Sequence, residues 1–506
     1  MNSWNEGYFT DATYTYGYYR ELSPNFMRWC LLNKGIAAHE ITEDSCHCEL
    51  GIGQGLSANI HAAATPGKFY GTDFNPAHAV QAQQLAEASG ADAHFFEDSF
   101  EEFANRDDLP AFDSIGVHGV WTWISAENRQ HIVEVARRHL KSGGMMYNSY
   151  NCLPGWAPSA PLRELLILSH EQLRGGNADE RIRSAVNVVG EMLDAEPVYA
   201  KFAPNLRPMF DHMKNLDPHY IAHEYLNRDW DLMYFTDVAK FMQDAKLEFA
   251  TVAVPIEGES LHLNKKAQEF LGKVANPLVR EQLRDYFINR QFRKDIYVRG
   301  VRRLSRAEMN EKILSTRCVL MIPAAEVPMT FNTGLGHLNL TETAYRPLLE
   351  FLEEDNFRPK TLNEYVARGK AEVNMVIEMI RILTLANHVM PCQNEESVKS
   401  VKKSCDKLNA YICERTQFDA PINFLASPLI GCGVGMNRVV QMFLAQYKGG
   451  AKTADKLAEA SREVVMRRVS YGGRPEAPDE ALPHLKTLAE KFLSRDLPIL
   501  KALLIA

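Results

Sequence analysis

From Cys46 to Tyr150 short apolar runs alternate with amphipathic stretches. Cys46–Leu50, Lys68–Thr72, Ala93–Phe96, Phe112–Val117 and Gly144–Tyr150 read as strands, and the segments between them carry apolar residues at helical spacing. The last of these strands follows a helix and a turn at Lys141-Ser142-Gly143. Strands alternating with helices predict an α/β fold with a doubly wound, parallel, Rossmann-like sheet, whose ligands lie outside the carboxyl ends of the strands. Beyond Trp156 the pattern becomes helical: ELLILSHEQL and AVNVVGEML repeat apolar positions at 3.6-residue spacing. The sheet's closing unit is expected only at Phe235 to Val254, an amphipathic helix followed by an alternating strand.

The expected organisation is a sheet domain from 1–156 and 229–262, interrupted at 157–228 by a helical cap above the ligand edge. A helical segment at 263–305, regulatory or dimer-forming, follows. A mainly helical region, winged-helix-like in part, fills 306–506. In the helical segment the basic end, Arg290, Arg293, Lys294, Arg299, Arg302 and Arg303, reads as a solvated face or as a patch for an acidic partner. The run Ile430-Gly431-Cys432-Gly433-Val434-Gly435 reads as a tight helix-entry turn rather than a second nucleotide turn. The helix VNMVIEMIRILTLA is too apolar to read DNA and belongs in a core or an interface.

The chemistry concentrates at strand ends. The first strand runs into Glu49, Gly51, Gly53 and Gly55, an E-x-G-x-G-x-G turn that opens a helix. Glycines let the backbone bend sharply and approach a ligand closely, and the free N–H groups of the next helix add donors. The motif by itself also serves ordinary strand-to-helix turns. Asp73, with Phe74 beside it, closes the second strand 22 positions after Gly51, a spacing that suits a carboxylate accepting both ribose hydroxyls of a nucleoside. Asp98 and Ser99 close the third strand and fit an adenine edge. A dinucleotide fingerprint needs a small residue at position 56, where this chain has Leu56.

Together these features resemble the class I S-adenosylmethionine-dependent methyltransferases. The resemblance implies that Glu49, Gly51, Gly53 and Gly55 line the methionine portion of that cofactor, Asp73 with Phe74 the ribose, and Asp98 with Ser99 the adenine. HGVWTWIS after the fourth strand, SYNCLPGW after the fifth, and HYIAHEYLNRDWDLMYFTDVA sharpen it. They resemble the group that carries a methyltransferase regulatory domain, best known from bacterial outer-membrane-protein lysine methyltransferases. The likeness spans roughly residues 8 to 300 and implies methyl transfer to protein lysine. A small-molecule or natural-product N- or O-methyltransferase is the alternative.

Methyl transfer is an in-line displacement that needs alignment rather than a metal or a covalent nucleophile. A lysine acceptor must lose its proton first, since its ordinary pKa is about 10.4. His118, Trp121 and Tyr150 are the candidate catalytic residues at the fourth and fifth strand ends, with His118 also facing the cofactor. Trp123, Asn151 and His223 are candidates for the acceptor channel. The alternative for Trp121 and Trp123 is simple core packing. Glu224 is the fourth catalytic candidate, expected to steer a cationic amine into the pocket, or else to sit in a surface salt bridge. Residues 8–24 hold five tyrosines, a strap that either packs on the sheet or lids the cofactor. Tyr14 and Tyr19 are its candidate cofactor contacts, because an aromatic face attracts a sulfonium.

Net charge of -8 argues against a primarily nucleic-acid-binding surface. The nine cysteines include no C-x-x-C pair, and His219 with His223 lacks the H-E-x-x-H order, so neither disulfides nor a metal is expected. No apolar run is long enough to span a membrane, and the start of the chain lacks the apolar core of a signal peptide. The expectation is therefore a soluble cytoplasmic protein with a protein substrate, as a monomer or homodimer.

Overall fold

A computed structural model describes residues 16–172, 177–216, 218–254, 263–333, 336–369, 371–416, 422–466 and 478–506. Tyr14 lies outside them, as do the side chains of His219 and His223. A helix at Pro24–Leu32 (α1), capped by the Ser23 hydroxyl, precedes the sheet. Five strands follow: β1 Cys46–Leu50, β2 Lys68–Thr72, β3 Ala93–Phe96, β4 Phe112–Val117 and β5 Leu140–Asn151. Between them run α2 Leu56–Ala64, α3 Pro76–Ser89, α4 Phe100–Ala104 and α5 Ala126–His139. These five strands are parallel, in the order β3-β2-β1-β4-β5, so the expected doubly wound sheet is present. The foreseen turn at Lys141-Ser142-Gly143 is absorbed into β5.

Two further strands complete a seven-stranded sheet. β6 Leu247–Val252 is the foreseen closing strand, but it does not touch β5. β7 Phe292–Arg299 lies between them, antiparallel to both. The sequence reading made this stretch helical and solvated, and the structure corrects it. Its alternation is period two, but one face carries charges, so apolar patterning misses it. Arg293 is fully buried, with Nη1 2.6 Å from Asp285, Nη2 2.9 Å from Asp295 and 3.0 Å from Glu281. Arg290 joins the same Asp285 at 2.8 Å, and the Tyr150 hydroxyl donates to Asp295 at 2.8 Å. Buried charges persist only when paired in this way. Lys294 points to the opposite face and pairs with Glu21 at 2.6 Å, so it is not part of a basic patch either.

One face of the sheet packs Ile132, Val135, Phe235, Val238 and Met242 from α5 and the helix Phe235–Gln243. On the other, α1 and α2 share a core that continues unbroken into the C-terminal region through Ile380, Leu408 and Leu425. Helices at 160–172, 178–194, 206–213 and 218–225 bury a separate core around Leu166, Val189 and Phe210. Val373–Leu385 buries Val376, Ile380 and Leu383, as its apolar composition requires. The glycine run near position 431 is not a helix-entry turn. It forms the second strand of a hairpin, Phe424–Ser427 paired with Cys432–Gly435. No helix among the described residues is long and apolar enough to cross a membrane.

Candidate active site

The carboxyl edge of the parallel strands opens into a cavity of about 520 Å³. The turn after β1 forms its floor. Gly53 has φ +54, and a Cβ there would meet nothing within 4 Å, so the backbone itself faces the cavity. Gly55 has φ +73, and a Cβ would fall 2.4 Å from the Ala82 Cβ, so glycine lets α2 and α3 close on each other. Asp73 fixes the turn from β2: Oδ2 accepts the Gly53 N–H at 2.8 Å, while Oδ1 accepts the Asn75 N–H at 3.0 Å. His78 Nδ1 adds a contact at 3.1 Å. A carboxylate offers about four lone-pair sites, which leaves acceptor capacity on the cavity side.

Asp98 lines the next strand end and receives Arg106 Nη1 at 3.0 Å, with the guanidinium stacked 3.9 Å over Phe96. Ser99 also lines the cavity, but its hydroxyl accepts the Glu102 N–H at 3.2 Å as the cap of α4, so it is committed to the helix. Phe74 and Glu49 complete this half. Burial alone pushes the Glu49 carboxyl up to about 8.

The residues fit a methionine-bearing nucleoside. Its amino group would sit near Glu49 and the glycine turn, its hydroxyls at Asp73 and its base towards Asp98. Glu49 also sets a pH dependence. The folded protein holds its proton to about pH 8, whereas the unfolded chain releases it near 4.5. This contribution to stability is complete below about 4.5 and lost as pH rises through 8. Urea titrations between pH 5 and 9 should show the stability of Glu49→Gln falling less with pH than that of the native protein. Identical slopes would refute the assignment.

Tyr19 and His118 form one wall, their rings stacked with centroids 3.6 Å apart. His118 Nδ1 lies 2.8 Å from the Tyr147 hydroxyl, and burial drives its pKa down to about 3. It is therefore neutral at physiological pH and cannot hold a lysine's proton, so it serves as a wall. Trp121 and Tyr150 are corrected outright. Trp121 is fully buried against Phe241 on the far side of the sheet. Tyr150 is buried against Asp295, because successive strand residues face opposite ways and Asn151 takes the cavity side.

Trp123 and Asn151 do line the cavity. The Asn151 N–H donates to the Thr122 hydroxyl at 2.8 Å, and the Asp231 N–H to the Thr122 carbonyl at 2.9 Å, which ties the two strand-end loops to the segment after the cap. Glu224, on the last cap helix, lines the cavity rather than a surface salt bridge, and burial raises its pKa to about 7. Trp156, Asp229, Gln291 and Phe292 were not foreseen as lining residues. Trp156 stood inside a motif already singled out, but Gln291 and Phe292 depend on β7. Trp156 packs edge-on against Trp230 at 5.6 Å, and Arg163 covers Trp230 at 4.6 Å. Among the described residues no group of three or more His, Cys, Asp or Glu is placed to hold a metal.

The sequence model described as "Methyltransferase domain" matches residues 48–144, and that described as "Predicted methyltransferase regulatory domain" matches 217–299. With the seven-stranded sheet and the glycine–acid cavity, these matches identify the chain as a class I S-adenosylmethionine-dependent methyltransferase with a regulatory domain. Within that class it is similar end to end to the uncharacterized protein sll1526 of Synechocystis sp., at 36% identity over 511 residues and 99% of each chain. The uncharacterized protein RP789 of Rickettsia prowazekii is 25% identical over 67% of this chain and 64% of its own. The structure of PKMT2 from Rickettsia typhi in complex with AdoHcy superposes with a TM-score of 0.71 at 18% identity, covering 95% of this chain and 98% of that one, a likeness of fold.

Proposed function

We propose that the protein N-methylates lysine side chains of a protein substrate. The observation that carries this reading is the make-up of the cavity beyond the glycine turn. There Trp123, Trp156 and Phe292 share the lining with two carboxylates, Glu224 and Asp229. Aromatic faces and carboxylates together attract a cationic amine, each aromatic contact contributing about 0.5–2 kcal/mol. Inside the channel partial desolvation favours the neutral amine that attacks. Glu224 lines this part of the cavity and burial raises its pKa to about 7, which supports a role as acceptor of the ammonium's proton. S-adenosylmethionine, when bound, supplies the methyl group. The R. typhi protein named PKMT2, which shares the fold, was solved in complex with AdoHcy, and this supports the cofactor.

The test incubates the full-length protein with a cell extract and methyl-labelled cofactor. Label on lysine in protein bands, with an initial labelling rate reduced about 10²- to 10⁴-fold by Glu224→Gln, is the expected outcome. Label confined to small metabolites would overturn the reading in favour of a small-molecule acceptor.

A further inference from the structure

The strap before α1 touches two parts of the molecule at once. Tyr19 is in extended backbone, so Tyr18 and Tyr19 point to opposite sides. Tyr19 stacks on His118 in the cofactor wall, and its N–H donates to the Ser57 hydroxyl of α2 at 2.8 Å. Tyr18 turns away into the C-terminal hairpin. Its hydroxyl accepts the Gly433 N–H at 2.6 Å and lies 3.1 Å from His61 Nε2. Burial holds His61 neutral, with a pKa of about 3, so the contact with Tyr18 is one between uncharged groups. A Cβ at Gly433 would fall 2.8 Å from the Tyr18 ring, so glycine at this position is what seats the tyrosine. The same hairpin holds the end of the strap, where the Ser23 hydroxyl donates to the Gly431 carbonyl at 3.1 Å. The glycine run that resembled a nucleotide turn is thus a socket for the strap.

We propose that the Gly433 hairpin sets the cofactor affinity of the distant site, with Tyr18 and Gly433 as positioning residues that act through Tyr19. The C-terminal region thereby completes the cofactor wall. This inference rests on the cofactor and is independent of the methyl acceptor. A socket that orders Tyr19 before the cofactor arrives removes an ordering cost from binding. Coupling between two sites is reciprocal, so the cofactor must in turn tighten the hairpin.

Calorimetry with AdoHcy on the full chain tests it. Tyr18→Phe and Gly433→Ala are each expected to weaken binding about tenfold, the effect of one lost buried hydrogen bond. In a Tyr19→Ala background Tyr18→Phe should add nothing, because its route to the cofactor is gone. AdoHcy should also slow amide exchange at Gly433 in the native protein about fivefold or more, and leave it unchanged in Tyr19→Ala. If Tyr18→Phe lowers the melting temperature but binds AdoHcy within twofold of the native protein, Tyr18 is only a structural anchor and the proposal fails. It fails equally if the Tyr18 and Tyr19 effects add, or if Gly433 exchange ignores the ligand. Should Gly433→Ala not fold, Tyr18→Phe and the exchange measurement still decide.

Discussion

Replacing Asp73 by alanine is expected to remove most of the affinity for S-adenosylmethionine. One hydrogen bond from a ribose hydroxyl to the lone-pair site left on the carboxylate contributes about 1.5–3 kcal/mol, or a loss of roughly 10- to 100-fold in affinity. The loss has a second source. The same carboxylate accepts the Gly53 and Asn75 N–H groups, so the substitution also frees the glycine turn that faces the cavity. Calorimetry measures the affinity, and a melting curve on the same sample separates a loosened turn from an unfolded protein. A folded Asp73→Ala protein that still binds the cofactor within a few-fold would remove the basis of the whole cofactor assignment.

The largest effect on stability is expected at Arg293. Its guanidinium is fully buried among Asp285, Asp295 and Glu281, and Arg293→Met would leave three carboxylates clustered away from water without their main counter-charge. Breaking a buried ion pair from one side costs about 3–5 kcal/mol. In urea the unfolding midpoint should fall accordingly, and Phe292 and Gln291 should lose their place at the cavity, so cofactor and acceptor affinities fall together. Tyr150→Phe removes one hydrogen bond to the same Asp295 and should cost only about 1 kcal/mol. A midpoint for Arg293→Met close to the native one would show that the cluster does not hold β7 in the sheet.

The legibility of the chain follows from which forces are local. Strands β1 and β4, and β5 from Gly144 onward, are buried on both faces, so they appear as apolar runs, and the residues at the carboxyl ends of the parallel strands fall where one ligand can touch them all. That is why Glu49, the three glycines, Asp73 and Asp98 are legible in the sequence, and why the cofactor class follows from them. β7 was not readable, because its buried face is charged, and apolar periodicity does not register the ion pairs with Glu281 and Asp285 that stabilise it.

Side-chain direction marks the same division. Sequence order placed His118, Trp121, Tyr150 and Asn151 at the right strand ends, but only pairing and twist decided that His118 and Asn151 face the cavity while Trp121 and Tyr150 face the core. The function of the glycines at 431 and 433 likewise awaited the docking of the strap, a contact across more than 400 positions of chain. The sequence by itself determined the parallel sheet, its ligand edge and the cofactor that edge holds, because burial patterns and glycine turns are written in neighbouring residues. Which aromatic and acidic side chains line the rest of the cavity, and where the C-terminal hairpin meets the strap, only the tertiary structure decided, because both depend on pairings between residues far apart in the chain.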